Sequence, residues 1–164
     1  MPDITGQEGY NPTRRYKWFR PRQAMIGTAQ AQAANNGVCE LYNQSSAYYL
    51  VVRDLWWFTT YGTIYVGFNA GIYSDQTGTA HFGRILPGEP AGAGVLYAGY
   101  NPQLLPNPLM VTHYNQGLWT YHDLPMFVVT PGQSLVVQAG APATMEFDRI
   151  MWEFITPDEF DYMY

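Results

Sequence analysis

The side chains able to do chemistry are few and widely spaced. His81, His113 and His122 are the only histidines. His122 beside Asp123, with His113 nine residues earlier, has the residue types of an acid–base or metal pair. Histidines at strand ends with ordinary hydrogen bonds are far commoner, and no metal site is expected. Glu146 and Asp148 alternate, which sets two carboxylates on one face of a strand, as a glycosidase pair would need. Beside Arg149 and an acidic tail they read as an ion-paired or solvated face. The GxSxG elbow that exposes a serine nucleophile is absent. GAGVLYAG, residues 92–99, lacks both the GxGxxG spacing and a following helix that a nucleotide loop requires. The single cysteine, Cys39, permits no intrachain disulfide, and its strand-like neighbours Val38 and Leu41 predict a buried, inert thiol. The expectation is no enzyme and no cofactor.

A denser pattern lies near the N-terminus. Arg14, Arg15, Lys17, Arg20 and Arg22, five of the eight basic residues, fall within nine positions, interleaved with Tyr16, Trp18 and Phe19. Cations alternating with rings suit docking on an acidic or aromatic partner surface through cation–π and ionic contacts. The same residues could stack on nucleic-acid bases or fold back on the acidic C-terminus, where Glu146, Asp148, Glu153, Asp158, Glu159 and Asp161 cluster. Docking on a partner is the favoured reading, and the candidate site is Arg14, Arg15, Tyr16, Lys17, Trp18, Phe19, Arg20 and Arg22. A formal net charge of −5 disfavours a general nucleic-acid binder.

Only 13% of the 164 residues are charged, against about 25% in an ordinary globular protein. Aromatics make up 16%, with 14 tyrosines. A surface so poor in charge is explained if partner chains cover much of it, or if a Tyr-rich exterior recognises something. The N-terminus has no apolar signal-like segment, and no apolar run reaches the roughly 18–20 residues of a membrane span. Folding in a host cytoplasm, without a signal peptide, is expected.

These residues must be carried by strands. AYYLVVRDLWWFTT, residues 47–60, is rich in β-branched and aromatic residues and apolar on both alternating faces, as a central strand covered on each side would be. Tyr48, Leu50, Val52, Trp56 and Phe58 share one face of that strand. Residues 47–58 and 63–70 are expected to form a hairpin around Tyr61-Gly62. Residues 26–33 read as extended, with the alternation of an edge strand, and 38–43 as a second strand. Residues 71–108, rich in Gly and Pro, should hold long surface loops around short strands at 80–86 and 94–97, a usual place for binding. Further strands are expected at 109–114 and 118–121 around an Asn115-Gln116-Gly117 turn, then at 126–129, 134–139 and 145–155, with a Pro131-Gly132 turn before 134. Eight or nine short strands without a long helix imply an all-β, antiparallel, jelly-roll-like sandwich over residues 24–157. An arm (1–23) would precede it and an acidic tail (158–164) follow it. Its core should include Leu50, Val52, Trp56, Leu135, Val137 and Trp152.

Three pieces carry a resemblance. Leu41, Asn43, Ser46, Leu50, Val51 and Val52 open the sandwich, Pro131, Gly132, Ser134 and Leu135 form a late turn and strand, and Trp152-Glu153 closes it. Over residues 37–155 the pattern resembles small jelly-roll proteins of tailed-bacteriophage virions, of the head-decoration, head-fibre or tail-associated kind. The resemblance implies a virion structural protein that contacts other capsid or tail proteins, is oligomeric with a trimer favoured, and has no transferable active site. A module that binds a host-surface glycan or receptor is the alternative expectation.

Overall fold

A computed structural model describes residues 20–31, 36–60, 62–114, 116–120 and 127–163. Eleven strands and one helix occur among them: β1 (Ala24–Ala31), β2 (Gly37–Tyr42), β3 (Tyr49–Thr59), β4 (Ile64–Ala70), β5 (Thr79–Arg84), β6 (Val95–Tyr100), β7 (Met110–Thr112), β8 (Gln116–Thr120), β9 (Phe127–Val129), β10 (Gln133–Ala139), β11 (Met145–Ile155) and α1 (Pro157–Met163). The first sheet runs β5-β1-β11-β3-β8, with β9 continuing the β8 edge of β3, and the second runs β6-β2-β10-β4-β7. Every strand pairing is antiparallel. Without β5 and β6, the sheets have the orders 1-11-3-(8,9) and 2-10-4-7, the chain crossing between them at most connections but passing from β4 to β7 within the second sheet. That is the strand order of a jelly roll, and β5 and β6 widen it by one strand at the same side.

The expected hairpin between 47–58 and 63–70 does not form. β3 pairs with β11, β8 and β9, whereas β4 pairs with β10 and β7 in the opposite sheet. Adjacent apolar strands with a short link suit a hairpin locally, but strands apolar on both faces demand central places, and one sheet offers β3 its place while the other offers β4. β1 likewise is no edge: it lies between β5 and β11. Asn115-Gln116-Gly117 is not a turn at its glycine. Gly117 sits in β8 opposite Trp57, whose indole occupies the space a Cβ there would fill.

Simple alternation along β3 also fails, for a definite reason. Met151 pairs with Asp54 and Trp152 with Val52, so Arg53 is an extra residue, a β-bulge. One inserted residue reverses the facing of everything beyond it. Leu50 and Val52 therefore point into the core, followed by Leu55 and Trp57, and Trp56 is turned out at 41% exposure. The expectation that Trp56 is a core residue is corrected accordingly. β11 carries the matching irregularity: Phe147 pairs with Trp57 and Arg149 with Trp56, leaving Asp148 as the extra residue. Its inward series thus shifts from Met145 and Phe147 to Ile150, Trp152 and Phe154.

Between the sheets, these residues meet Cys39, Leu41, Ile64, Val66, Leu96, Leu135 and Val137 in one cluster. Trp152 is fully buried and its Nε1 donates to Ala93 O at 2.8 Å. Gly94, at φ +100°, leaves room for that indole, since a Cβ would lie 2.5 Å from Nε1. Cys39 is fully buried with its Sγ near the carbonyls of Met145 and Ala29, and burial pushes its thiol pKa far up. At the turn before β10, Gly132 takes φ +78° and Gln133 N donates to Thr130 O, as the Pro131-Gly132 pair predicts. Asn43, fully buried, donates from Nδ2 to Tyr48 O and Val129 O, binding that turn's neighbourhood to the loop before β3.

The acidic tail is a helix, α1. Thr156 Oγ1 accepts from Glu159 N and Thr156 N donates to Glu159 Oε2, a reciprocal capping box with Pro157 in the first turn. Phe160 of α1 packs edge-on against Tyr49, over Val51 and Ile155, so the helix covers one end of the first sheet's outer face. Replacing Trp152 by Ala is expected to cost about 3–5 kcal/mol, while Trp56→Ala should cost under about 1 kcal/mol. Urea denaturation of both variants checks this; equal losses would contradict the placement of the bulge.

Candidate functional site

Of the eight residues singled out as a partner-binding arm, Arg14, Arg15, Tyr16, Lys17, Trp18 and Phe19 lie outside the described residues, as do His122 and Asp123. Arg20 is built into the domain. Its backbone N donates to Glu153 Oε1 at 3.0 Å, and its Nη1 to Gln23 Oε1 at 2.7 Å and Glu159 Oε1 at 3.2 Å. Arg22 is exposed, and its carbonyl accepts from the Arg84 guanidinium. Arg20, the first described residue, is therefore fixed where α1, β11 and the 3-10 turn Pro21–Gln23 meet.

Two ion pairs lie beside it, both joining β3 to β11. Arg53 Nε meets Glu153 Oε1 at 3.2 Å, both side chains being buried, and Arg149 pairs with Asp54. The Arg149 guanidinium also stacks over the Trp56 ring, 5.3 Å from its centre. Burial pushes the Glu153 carboxyl above its ordinary value, against the opposing pull of Arg53 and Arg20. Burial also works to raise Glu159, but the Thr156 amide and Arg20 outweigh it and hold that carboxyl below its ordinary value.

Further along the same sheet the outer face opens into a groove. Ile26, Thr28 and Gln30 of β1 point outward in alternation, with His81 of β5 opposite Thr28 and Glu146 of β11 opposite Gln30. Gln30 Nε2 donates to Glu146 Oε1 at 2.5 Å. Two adjoining depressions, of about 330 and 500 Å3, share Thr28, His81 and Asp148. Ile26, Phe82 and Arg149 line the larger one, Glu146 the smaller. Among the described residues, neither Asp148 nor His81 has a side-chain hydrogen bond or ion pair. The Glu146/Asp148 spacing thus does bring two carboxylates to one groove. Sequence reading missed that His81 joins them, because the β1–β5 pairing that carries it there leaves no local mark. His113 is elsewhere, its Nδ1 3.5 Å from Thr63 Oγ1.

At the opposite side of the sandwich, β7 and β8 are the edges of the two sheets. There Leu109 (63% exposed), Val111, Tyr114 (74%) and Leu118 stand out into solvent, with Leu118 paired to the exposed Trp56. Val111 lies opposite Tyr65 on the outer face of the second sheet and Leu118 beside Trp56 on that of the first, so each sheet carries its own exposed apolar patch at this side.

The loops of 71–108 are held down tightly. Glu40, fully buried on the outer face of the second sheet, accepts from Tyr73 N, Ser74 N and Ser74 Oγ at 2.7–2.8 Å. Gln138, also fully buried, accepts from Leu105 N and donates to the carbonyls of Asn101 and Gln103. Leu105 then packs on Val38 and Val136. Glycines 92, 94 and 99, which the sequence offered as a glycine-rich loop, serve close packing against Phe154, Trp152 and Asp75.

No family model, curated protein or solved structure matches this chain.

A pH dependence follows from the depressed carboxyl of Glu159. A group held below its unfolded value of roughly 4.3 stabilises the fold above that pH, and this contribution disappears as pH falls through the folded value. Glu153, raised by burial, has the opposite sign: its contribution is present below the unfolded value and fades as pH rises through the folded one. E159Q retains a capping acceptor and removes the charge opposite Arg20, so its stability should fall less than that of the parent between pH 5 and 3. Parallel acid curves in urea titrations would show that the Arg20–Glu159 contact carries no stabilisation.

Proposed function

We propose that this chain is a structural protein of a tailed-bacteriophage virion, attached to the head or tail surface through its N-terminal arm and through contacts between copies. The observation that carries the reading is that both outermost strands of a jelly-roll sandwich expose large apolar side chains, Val111 with the neighbouring Leu109 on the second sheet and Leu118 beside Trp56 on the first. Burying apolar surface is worth about 25 cal/mol per Å2, and exposed patches of this kind gain that energy when other chains cover them. The 13% charged fraction fits the same reading. Oligomerisation, with a trimer favoured, and an arm that engages other virion proteins belong to it.

Recognition of a host-surface glycan ranks second, supported by the exposed Trp56 and Tyr114 rings, which suit the apolar face of a sugar.

Mass spectrometry of purified, salt-washed particles is the direct test. The chain is expected at a copy number matching a symmetric shell or tail component, and light scattering of the isolated protein should give a multiple of one chain. V111S/L118S should lower that multiple while melting like the parent. A chain absent from washed particles overturns the reading.

A further inference from the structure

We propose that the groove crossing β5, β1 and β11 receives the cationic, aromatic arm of a second copy of this chain. The inference rests on the assembly reading above and names the partner for one of its contacts.

The groove is amphipathic. Glu146 and Asp148 supply two carboxylates, and Asp148 has no intramolecular partner among the described residues. Ile26, 38% exposed, supplies apolar surface to the 500 Å3 depression beside them, where Phe82 also lines the rim although its ring turns towards Trp152, and Thr28 and His81 add polar groups. The neighbouring cation does not neutralise it, because Arg149 is committed to Asp54 and to the Trp56 ring. A fitting occupant therefore alternates positive charges with large apolar side chains.

The chain contains one such segment, Arg14-Arg15-Tyr16-Lys17-Trp18-Phe19. Charge points the same way at larger scale. Residues 14–22 carry five positive charges and no negative one, whereas residues 24–164 carry three Arg against eleven Asp and Glu, a net of −8. Arms repel arms and sandwiches repel sandwiches, so the attractive arrangement sets arm on sandwich.

Geometry favours a second copy. Arg20 is fixed beside Glu153 and Glu159, so the arm starts at the far end of β11 from Asp148 and Glu146, which lie five and seven residues away. At about 3.3 Å per residue that is roughly 16–23 Å. The cationic segment lies only one to six residues before Arg20, at most about 3–20 Å away, so Lys17, Trp18 and Phe19 fall short of the chain's own groove and the whole segment fits only a neighbour's. An arm that passes always to the next copy is a heterologous contact, which closes when the rotation returns to its start, as in a ring of three.

The test uses two full-length variants, R14E/R15E/K17E with a reversed arm and E146K/D148K with a reversed groove. Each alone should associate about tenfold more weakly than the parent by light scattering, and the parent's association should weaken with salt. Mixed together they should associate again, since the intact arm of one meets the intact groove of the other. Carrying both sets of changes in one chain should also restore association. E146Q/D148N, milder at the surface, should show the same loss if E146K/D148K folds poorly. Association unchanged in both variants overturns the inference, as does a parent that stays monomeric at tens of micromolar. So does a mixture that fails to associate while the doubly changed chain recovers, which would place the arm on its own sandwich. If arm reversal removes the chain from particles and groove reversal does not, the inference falls and the assembly reading stands. If the parent itself is missing from particles, the assembly reading falls.

Discussion

The pairing of β3 with β11 is the constraint on which the rest of this sandwich depends. These are the two longest strands, eleven residues each, and they occupy the middle of the first sheet. Each carries one bulge, Arg53 on β3 and Asp148 on β11, and the two lie at different heights along the pair. A slip of register by one residue would drive Arg53 or Glu153 towards the core and turn Trp152 or Leu55 to the outside. Burying an unpaired charge costs several kcal/mol, so the alternative registers are strongly disfavoured. The Arg53–Glu153 and Arg149–Asp54 pairs add little net stability, given the cost of desolvating them. Their effect is to fix where each bulge falls.

From that register the outer surfaces follow. The β3 bulge turns Trp56 to the solvent, where Arg149 stacks on it and Leu118 lies beside it. The β11 bulge presents Asp148 to the groove that Thr28 and His81 also line. Glu153, beyond the β3 bulge, receives the Arg20 amide and so fixes the first described residue against β11. Features that look unrelated along the chain are thus consequences of two extra residues in two paired strands.

Much of this architecture is legible in the sequence. The β-branched and aromatic runs mark most strands within a residue or two, and the Pro131-Gly132 turn is specified by its own chemistry. The strand count and long connections point to the jelly roll. What local pattern cannot give is pairing between distant strands: nothing in residues 47–70 reveals that β3 and β4 belong to opposite sheets. Nor does alternation announce a bulge, although Arg53-Asp54 in the middle of an apolar strand is its residue-level trace. The helix was readable, since Thr156-Pro157-Asp158-Glu159 has every part of a capping box. It is obscured by acidic composition, which resembles a solvated tail. The candidate groove was half legible: Glu146 and Asp148 show themselves by spacing, and His81 joins them only through tertiary pairing.

Glu40 and Gln138 bear on how this molecule tolerates change. Both are sheet residues that reach out to hold loops, and most of the groups they hold are main-chain amides and carbonyls: those of Tyr73, Ser74, Leu105, Asn101 and Gln103. A backbone grip asks little of the side chains it restrains. Sequence drift across much of these loops should therefore leave their path intact, so that the outer layer of the second sheet can diversify while its shape persists. The same drift at position 40 or 138 would strand several buried polar groups at once. Variability and constraint are thereby divided between the two partners of each hydrogen bond, with the loop free to vary and the strand beneath it held.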